Sequence, residues 1–287
     1  MTCRESTCFA LTRAYEAMMI IRLRAHLIAL GIVAATFAPT AASADDRDFC
    51  ADRPGRGTPA CTLAPGQAMI EVGVVGWDHD ADAQSVNNAF NLADTLLRVG
   101  VTDTTELQIG LLAATNTRSR DRATGTVESA TGVGDGYLAV RRGLAGDNGP
   151  AAVEVFLTLP LGKPPAGAGD WGAGVLVPFE VSLPADFELA LIPEADAAVN
   201  ASGNGRHLAY GGVAGLSHPL GKKASFSAEF AGFEDRDPAG AAFDGRMAGA
   251  VAYQLSKTLQ LDFEADLGVT HAAPKRSFLI GFARRIG

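Results

Sequence analysis

The stretch Leu92 to Leu112, LADTLLRVGVTDTTELQIGLL, alternates in character from one residue to the next on both sides of a tight polar turn. Thr95, Leu97, Val99 and Val101, and after the turn Leu107, Ile109 and Leu111, share one parity, while Asp94, Arg98, Glu106 and Gln108 share the other. Side chains of a strand point alternately to opposite faces, so this reads as a hairpin with one apolar face and one charged face. A water-soluble sheet needs a second layer over its apolar face. In an outer membrane, lipid covers that face and the charged one lines a closed barrel.

The same period recurs down the chain. Val153, Val155, Leu157 and Leu159 alternate with Glu154, Phe156 and Thr158; Leu259, Leu261, Phe263 and Leu267 alternate with Gln260, Asp262, Glu264 and Asp266. Short turns take turns with longer polar segments, of which Asp78 to Asn88 and Asn116 to Thr131 read as the first two long loops. Past residue 45 no eighteen consecutive residues are apolar, so a membrane crossing here must use strands. No helical period follows the strands, which argues against a parallel α/β sheet. The expected fold is all-β: an antiparallel transmembrane β-barrel of about twelve strands, built after removal of a signal peptide. Pro178 and Pro193 fit poorly in central strands.

The parity opposite the apolar one carries a charge in most strands. Arg98, Glu106, Asp135, Arg141, Glu154, Glu188, Glu229 and Glu264 are the candidate pore-lining residues, with Glu71, Glu180, Arg206, Arg246, Asp262 and Asp266 beside them. Rings of one sign select solutes of the other, and acids outnumber arginines here, so an open pore would favour cations or neutral molecules. The competing reading is that these charges only pair across neighbouring strands in a filled interior.

The N-terminus reads as an export signal: Arg22 and Arg24, then an apolar run from Leu27 to Phe37, then Ala42-Ser43-Ala44 before acidic Asp45 and Asp46. Residues 1–44 are the signal region, with Met18 or Met19 the expected start of translation, which leaves Cys3 and Cys8 without meaning. Residues 45–66 read as a periplasmic lead-in and residues 67–287 as the barrel. Cys50 and Cys61 are the only exported cysteines, and an even pair in an oxidising compartment predicts a disulfide that acts as a staple. The formal net charge of −8 argues against a nucleic-acid partner.

Four stretches carry a family resemblance: LLRVGVTDTTELQIGL, GVGDGYLAVRRGL at 132–144, VEVFLTLPLGKP at 153–164, and the closing YQLSKTLQLDFEADLGVTHAAPKRSFLIGFARRI. Together the chain resembles the outer-membrane transporter family associated with the meta-pathway of phenol degradation. The resemblance implies a porin-like barrel passing small, often aromatic or hydrophobic compounds. It also implies a C-terminal aromatic residue read by the barrel-insertion machinery. This chain ends Arg285-Ile286-Gly287, with Ile286 on the parity of Phe282.

Other constellations carry less. Asp78, Asp80 and Asp82 lack the Gly and terminal Glu of a calcium loop and read as solvated carboxylates. Gly132, Gly134 and Gly136 precede no helix, so they mark a bulge or close strand approach rather than a phosphate cradle. His79, His207, His218 and His271 show no metal-ligand spacing, so no metal or other cofactor is expected. Ser217 and His218 would face opposite sides of one strand, which defeats them as a catalytic pair. Trp77, Tyr210, Phe226 and Phe278 suit interfacial aromatic belts. The expected function is passive passage of a small-molecule solute across the outer membrane of a Gram-negative bacterium, with outer-membrane lipid as the other partner and no enzymatic activity. The alternatives are a barrel hydrolase of envelope lipid and a structural or adhesive barrel.

Overall fold

The computed structural model describes residues 47–146 and 149–287. The signal region and the cysteines at 3 and 8 lie outside the described residues, as do Asp147 and Asn148 of the turn expected at 146–149. The chain forms β1 (Ala68–Ala81), β2 (Ser85–Thr102), β3 (Thr105–Asp121), β4 (Val127–Gly132), β5 (Gly136–Gly143), β6 (Ala152–Leu159), β7 (Gly172–Leu176), β8 (Phe179–Ser182), β9 (Glu188–Val199), β10 (Arg206–Leu220), β11 (Ala224–Asp235), β12 (Ala242–Ser256), β13 (Leu259–Gly268) and β14 (Arg276–Ile286). Every neighbouring pair is antiparallel, and the ring closes where Ala68 of β1 meets Ile286 of β14.

Two staves are interrupted. β4 and β5 lie end to end on β3, and β7 and β8 end to end on β9, so the fourteen strands make a closed barrel of twelve. Pro178 falls in the second interruption, where its carbonyl still accepts from the Ala152 N–H at 3.1 Å. Pro193 stays inside β9 opposite Gly212. Gly134 falls in the first interruption: a Cβ there would come within 2.6 Å of the Leu112 Cβ, which is the close approach expected of that glycine run.

The faces sort as the alternation requires. Ile109, Val155 and Leu267 are 57%, 56% and 61% exposed, while Arg98, Glu106 and Arg141 are fully buried. A protein in water hides its large apolar side chains and exposes its charges, so this inversion identifies the outside as a lipid-facing surface. Among the described residues no helix is long and apolar enough to cross a membrane.

Three features differ from the sequence reading. The first two long loops are short, since β1 and β2 are joined by residues 82–84 and β3 and β4 by residues 122–126. These strands rise past the apolar band to where both faces meet water, and there alternation vanishes although the hydrogen-bonded ladder continues. Next, β1 does not keep one alternation from end to end. The register against β14 shifts between Gly73 and Val75, and the extra residue turns Trp77 outward, stacked on Phe278 with ring centroids 5.7 Å apart. A matching switch occurs in β2, where Ala93 has φ 49° and Asn91 and Asp94 both border one interior cavity. Finally, Arg206 stands on the side of Leu208, two residues along the same strand, with its guanidinium 3.7 Å from the centroid of the Trp171 ring.

Candidate functional site

Residues 47–66 do not stand apart from the barrel. They thread among its inward-facing side chains as a loop closed by the Cys50–Cys61 disulfide, with Cα atoms 6.4 Å apart. The loop is Pro- and Gly-rich, so it offers unpaired backbone N–H groups to a wall rich in carboxylates. The N–H groups of Asp52 and Arg53 donate to the two oxygens of Glu71 on β1, each at 3.1 Å. Gly55 donates to Glu264 on β13 at 3.1 Å; Arg56 and Gly57 donate to Glu229 on β11 at 2.6 and 3.1 Å. Ala60 donates to Glu180 on β8 at 3.1 Å and Leu63 to Glu106 on β3 at 2.9 Å. The loop thus reaches strands around the whole circumference.

Its side chains complete the pattern. Asp52 bridges the two buried arginines, 2.8 Å from Arg98 and 2.6 Å from Arg141. Arg98 also pairs with Glu106 at 2.9 Å and Glu71 at 3.1 Å, and Arg141 with Glu154 at 2.7 Å. Gln108 donates to both Glu106 and Glu154, at 2.9 and 3.0 Å, and the Tyr137 hydroxyl donates to Glu154 at 2.5 Å. Burial raises the Asp52 carboxyl pKa, and the guanidiniums of Arg141 and Arg98 outweigh it, so the group lies below its ordinary value of 3.8. The stability it contributes is present above that ordinary value and is lost only as pH falls through the lowered one. Across the lumen, Arg53 pairs with Asp262 at 2.7 Å, and Arg56 pairs with Asp266 and lies 3.6 Å from Glu264.

Of the eight residues expected to line a pore, Arg98, Glu106, Arg141 and Glu154 converge on one network, and Glu229 and Glu264 hold the far side of the loop. Glu188 is exposed at the rim and borders a cavity of about 190 Å³ with Glu180 and Ser217. Asp135 accepts from the Gly162 and Ala168 N–H groups at 3.3 and 2.6 Å, so it holds the loop between β6 and β7. The functional charges missing from that set are Asp52, Arg53 and Arg56. Their only sequence signal is position, inside the cysteine-bounded loop.

Space remains around the loop. A cavity of about 330 Å³ runs past Asp52, Glu71, Asp94 and Tyr137, and one of about 290 Å³ past Arg56, Glu194, Asp196 and Arg246. At the opposite end from the chain termini, β1 to β4 wall a vestibule of about 550 Å³. There Asp82 caps the first turn, accepting from the Gln84 and Ser85 N–H groups at 2.8 and 2.6 Å, and Asp78 accepts from the Ser277 hydroxyl at 2.6 Å. His207, dispersed in sequence from any partner, is 2.7 Å from Asp235 and 3.4 Å from Asp237, while Asp237 also accepts from the Ala201 N–H. This cluster ties two loops together. Ser217 faces the interior, whereas His218 stacks on Phe187 with centroids 4.5 Å apart.

A closed barrel with a lipid-facing apolar band and a charged interior is an outer-membrane β-barrel of porin-like architecture. Residues 51–286 match the family described as "Putative MetA-pathway of phenol degradation", and the chain belongs to that family. Among solved structures it is similar to an outer-membrane channel from Pseudomonas putida F1, at 16% identity and a TM-score of 0.61, covering 82% of this chain and 99% of that one. More distant likenesses include the CymD monoaromatic hydrocarbon channel, at 10% identity and a TM-score of 0.44 over 78% of this chain and 88% of that one. Another is the β domain of the Bordetella autotransporter BrkA, at 12% identity and a TM-score of 0.48 over 76% of this chain and 98% of that one. A search of curated protein sequences finds no match.

Proposed function

We propose that this protein is a passive outer-membrane channel for small molecules whose lumen is narrowed by residues 47–66 and favours cationic or neutral solutes. The observation that carries the reading is the acid-rich inner wall with water-accessible cavities left on both sides of a docked loop. Carboxyl groups beyond those occupied by the loop, Asp94, Glu194 and Asp196 among them, face these cavities. The family's association with phenol degradation supports aromatic compounds as one solute class. The opposed faces of Ser217 and His218 support a channel over a barrel hydrolase.

The test is electrical. Reconstituted into planar bilayers, the full protein should pass a small cation-selective current, read from the reversal potential across a salt gradient. A variant lacking residues 47–66 should pass a larger one. If neither form carries current, and neither admits any small neutral solute in a liposome-swelling assay, the channel reading is wrong.

A further inference from the structure

At the end of the barrel away from its termini, β14, β1, β2, β3 and β4 place Arg276, His79, Asn88, Arg118 and Ser129 directly opposite one another, strand by strand. One same-face step higher, β3 carries Arg120, and Arg122 follows in the turn. One step lower, the same register aligns Phe278, Trp77 and Phe90, which are the outward aromatic residues at the edge of the apolar band. Directly opposed residues of paired strands share a face, so this cationic row points outward too. It lies about 7 Å above the aromatics, and Arg276 and Arg118 are three strand spacings apart, about 14 Å. The Trp77 indole N–H donates to Asn88 Oδ1 at 3.2 Å, and His79 Nδ1 lies 3.0 Å from the same oxygen, which fixes the row to the belt beneath it.

Charge is sorted by face at this height. Asp78, Asp80 and Glu128 border the inner vestibule, which Asn88, Arg118 and Ser129 also edge where the wall is one strand thick, while the outward positions of these strands hold no acid. Arg118, Arg120 and Arg276 have no carboxylate partner among the described residues. A chain of net charge −8 that leaves three outward arginines unpaired at headgroup height presents a surface complementary to anions held in the membrane plane. We propose that this row is a docking surface for the phosphate groups of the phosphorylated glycolipid of the outer leaflet. The guanidiniums donate paired N–H groups to phosphate oxygens, and the Trp77–Phe278–Phe90 belt packs against the acyl chains below.

The test uses the full protein in detergent and native mass spectrometry, with lipid A carrying both phosphates as the probe. The wild type should retain bound lipid A. The combined variant Arg118→Gln, Arg120→Gln and Arg276→Gln should bind on the order of a hundredfold more weakly, since each basic group near an anionic surface contributes about one kcal/mol. The corresponding Arg→Lys variant should retain most of the binding. Arg142→Gln with Arg284→Gln, which removes outward bases at the opposite rim, should change nothing. Unboiled gel mobility verifies that each variant forms its barrel. The proposal is overturned if lipid A stripped of phosphate binds the wild type as well, if the triple variant that still forms a barrel binds normally, or if millimolar inorganic phosphate displaces the lipid completely.

Discussion

Arg98 and Arg141 are wholly out of reach of water, and each is held by carboxylates from the wall and from the inserted loop. Such a group is stabilising only as part of its set, because a buried charge left alone keeps its desolvation cost. Arg141→Met, which strands Glu154 and half of Asp52, should therefore destabilise the barrel by about 3–5 kcal/mol. The measurement is the temperature at which the fast-migrating gel band converts to the slow one. Arg142→Gln, one position along and on the other face, should move it little, within about 0.5 kcal/mol. Asp52→Asn leaves the wall pairs intact and removes the bridge between the arginines, so the current should rise and the band should melt at a lower temperature, by less than for Arg141→Met.

At the scale of strands, the barrel was legible because its period is two and lipid imposes that period across the apolar band, broken in β1 and β2 only at Val74 and Ala93. Val153 to Leu159 and Leu259 to Leu267 could be placed inside or outside residue by residue, and the structure agrees with that placement. Above the band the constraint lapses. The upper parts of β1 to β4, with Asp80, Asn87, Arg118 and Ser119, have polar side chains on both faces and read as loops although they are paired strand. A single extra residue at Val74 could not be read either, because a bulge is a relation between two strands and leaves no mark in one. The inserted loop was half legible: the two cysteines announced closure, but the partners of Asp52, Arg53 and Arg56 lie up to 210 positions away. The outward assignment makes its own forecast. Ile109→Arg, on the lipid face of β3, should cost about 2–4 kcal/mol at mid-depth in refolding from urea into bilayers.

Across the whole molecule, the wall supplies a surplus of acids, and the inserted loop supplies Arg53, Arg56 and the backbone donors that neutralise part of them. Replacing Cys50 and Cys61 by Ser should loosen that loop, since a disulfide of this kind restrains the free chain by about 2–4 kcal/mol. The expected readout is a higher fraction of time in the high-current state with barrel stability little changed. The loop's anchors lie on β1, β2, β3, β5, β8, β11 and β13, so it works as a hub with spokes to nearly every side of a cylinder. A hub bound in one covalent ring cannot let go of its spokes one after another without straining those that remain. Traces from single molecules should accordingly jump between a few discrete levels instead of drifting, and the dwell at each level would time the departure and return of the hub as one body.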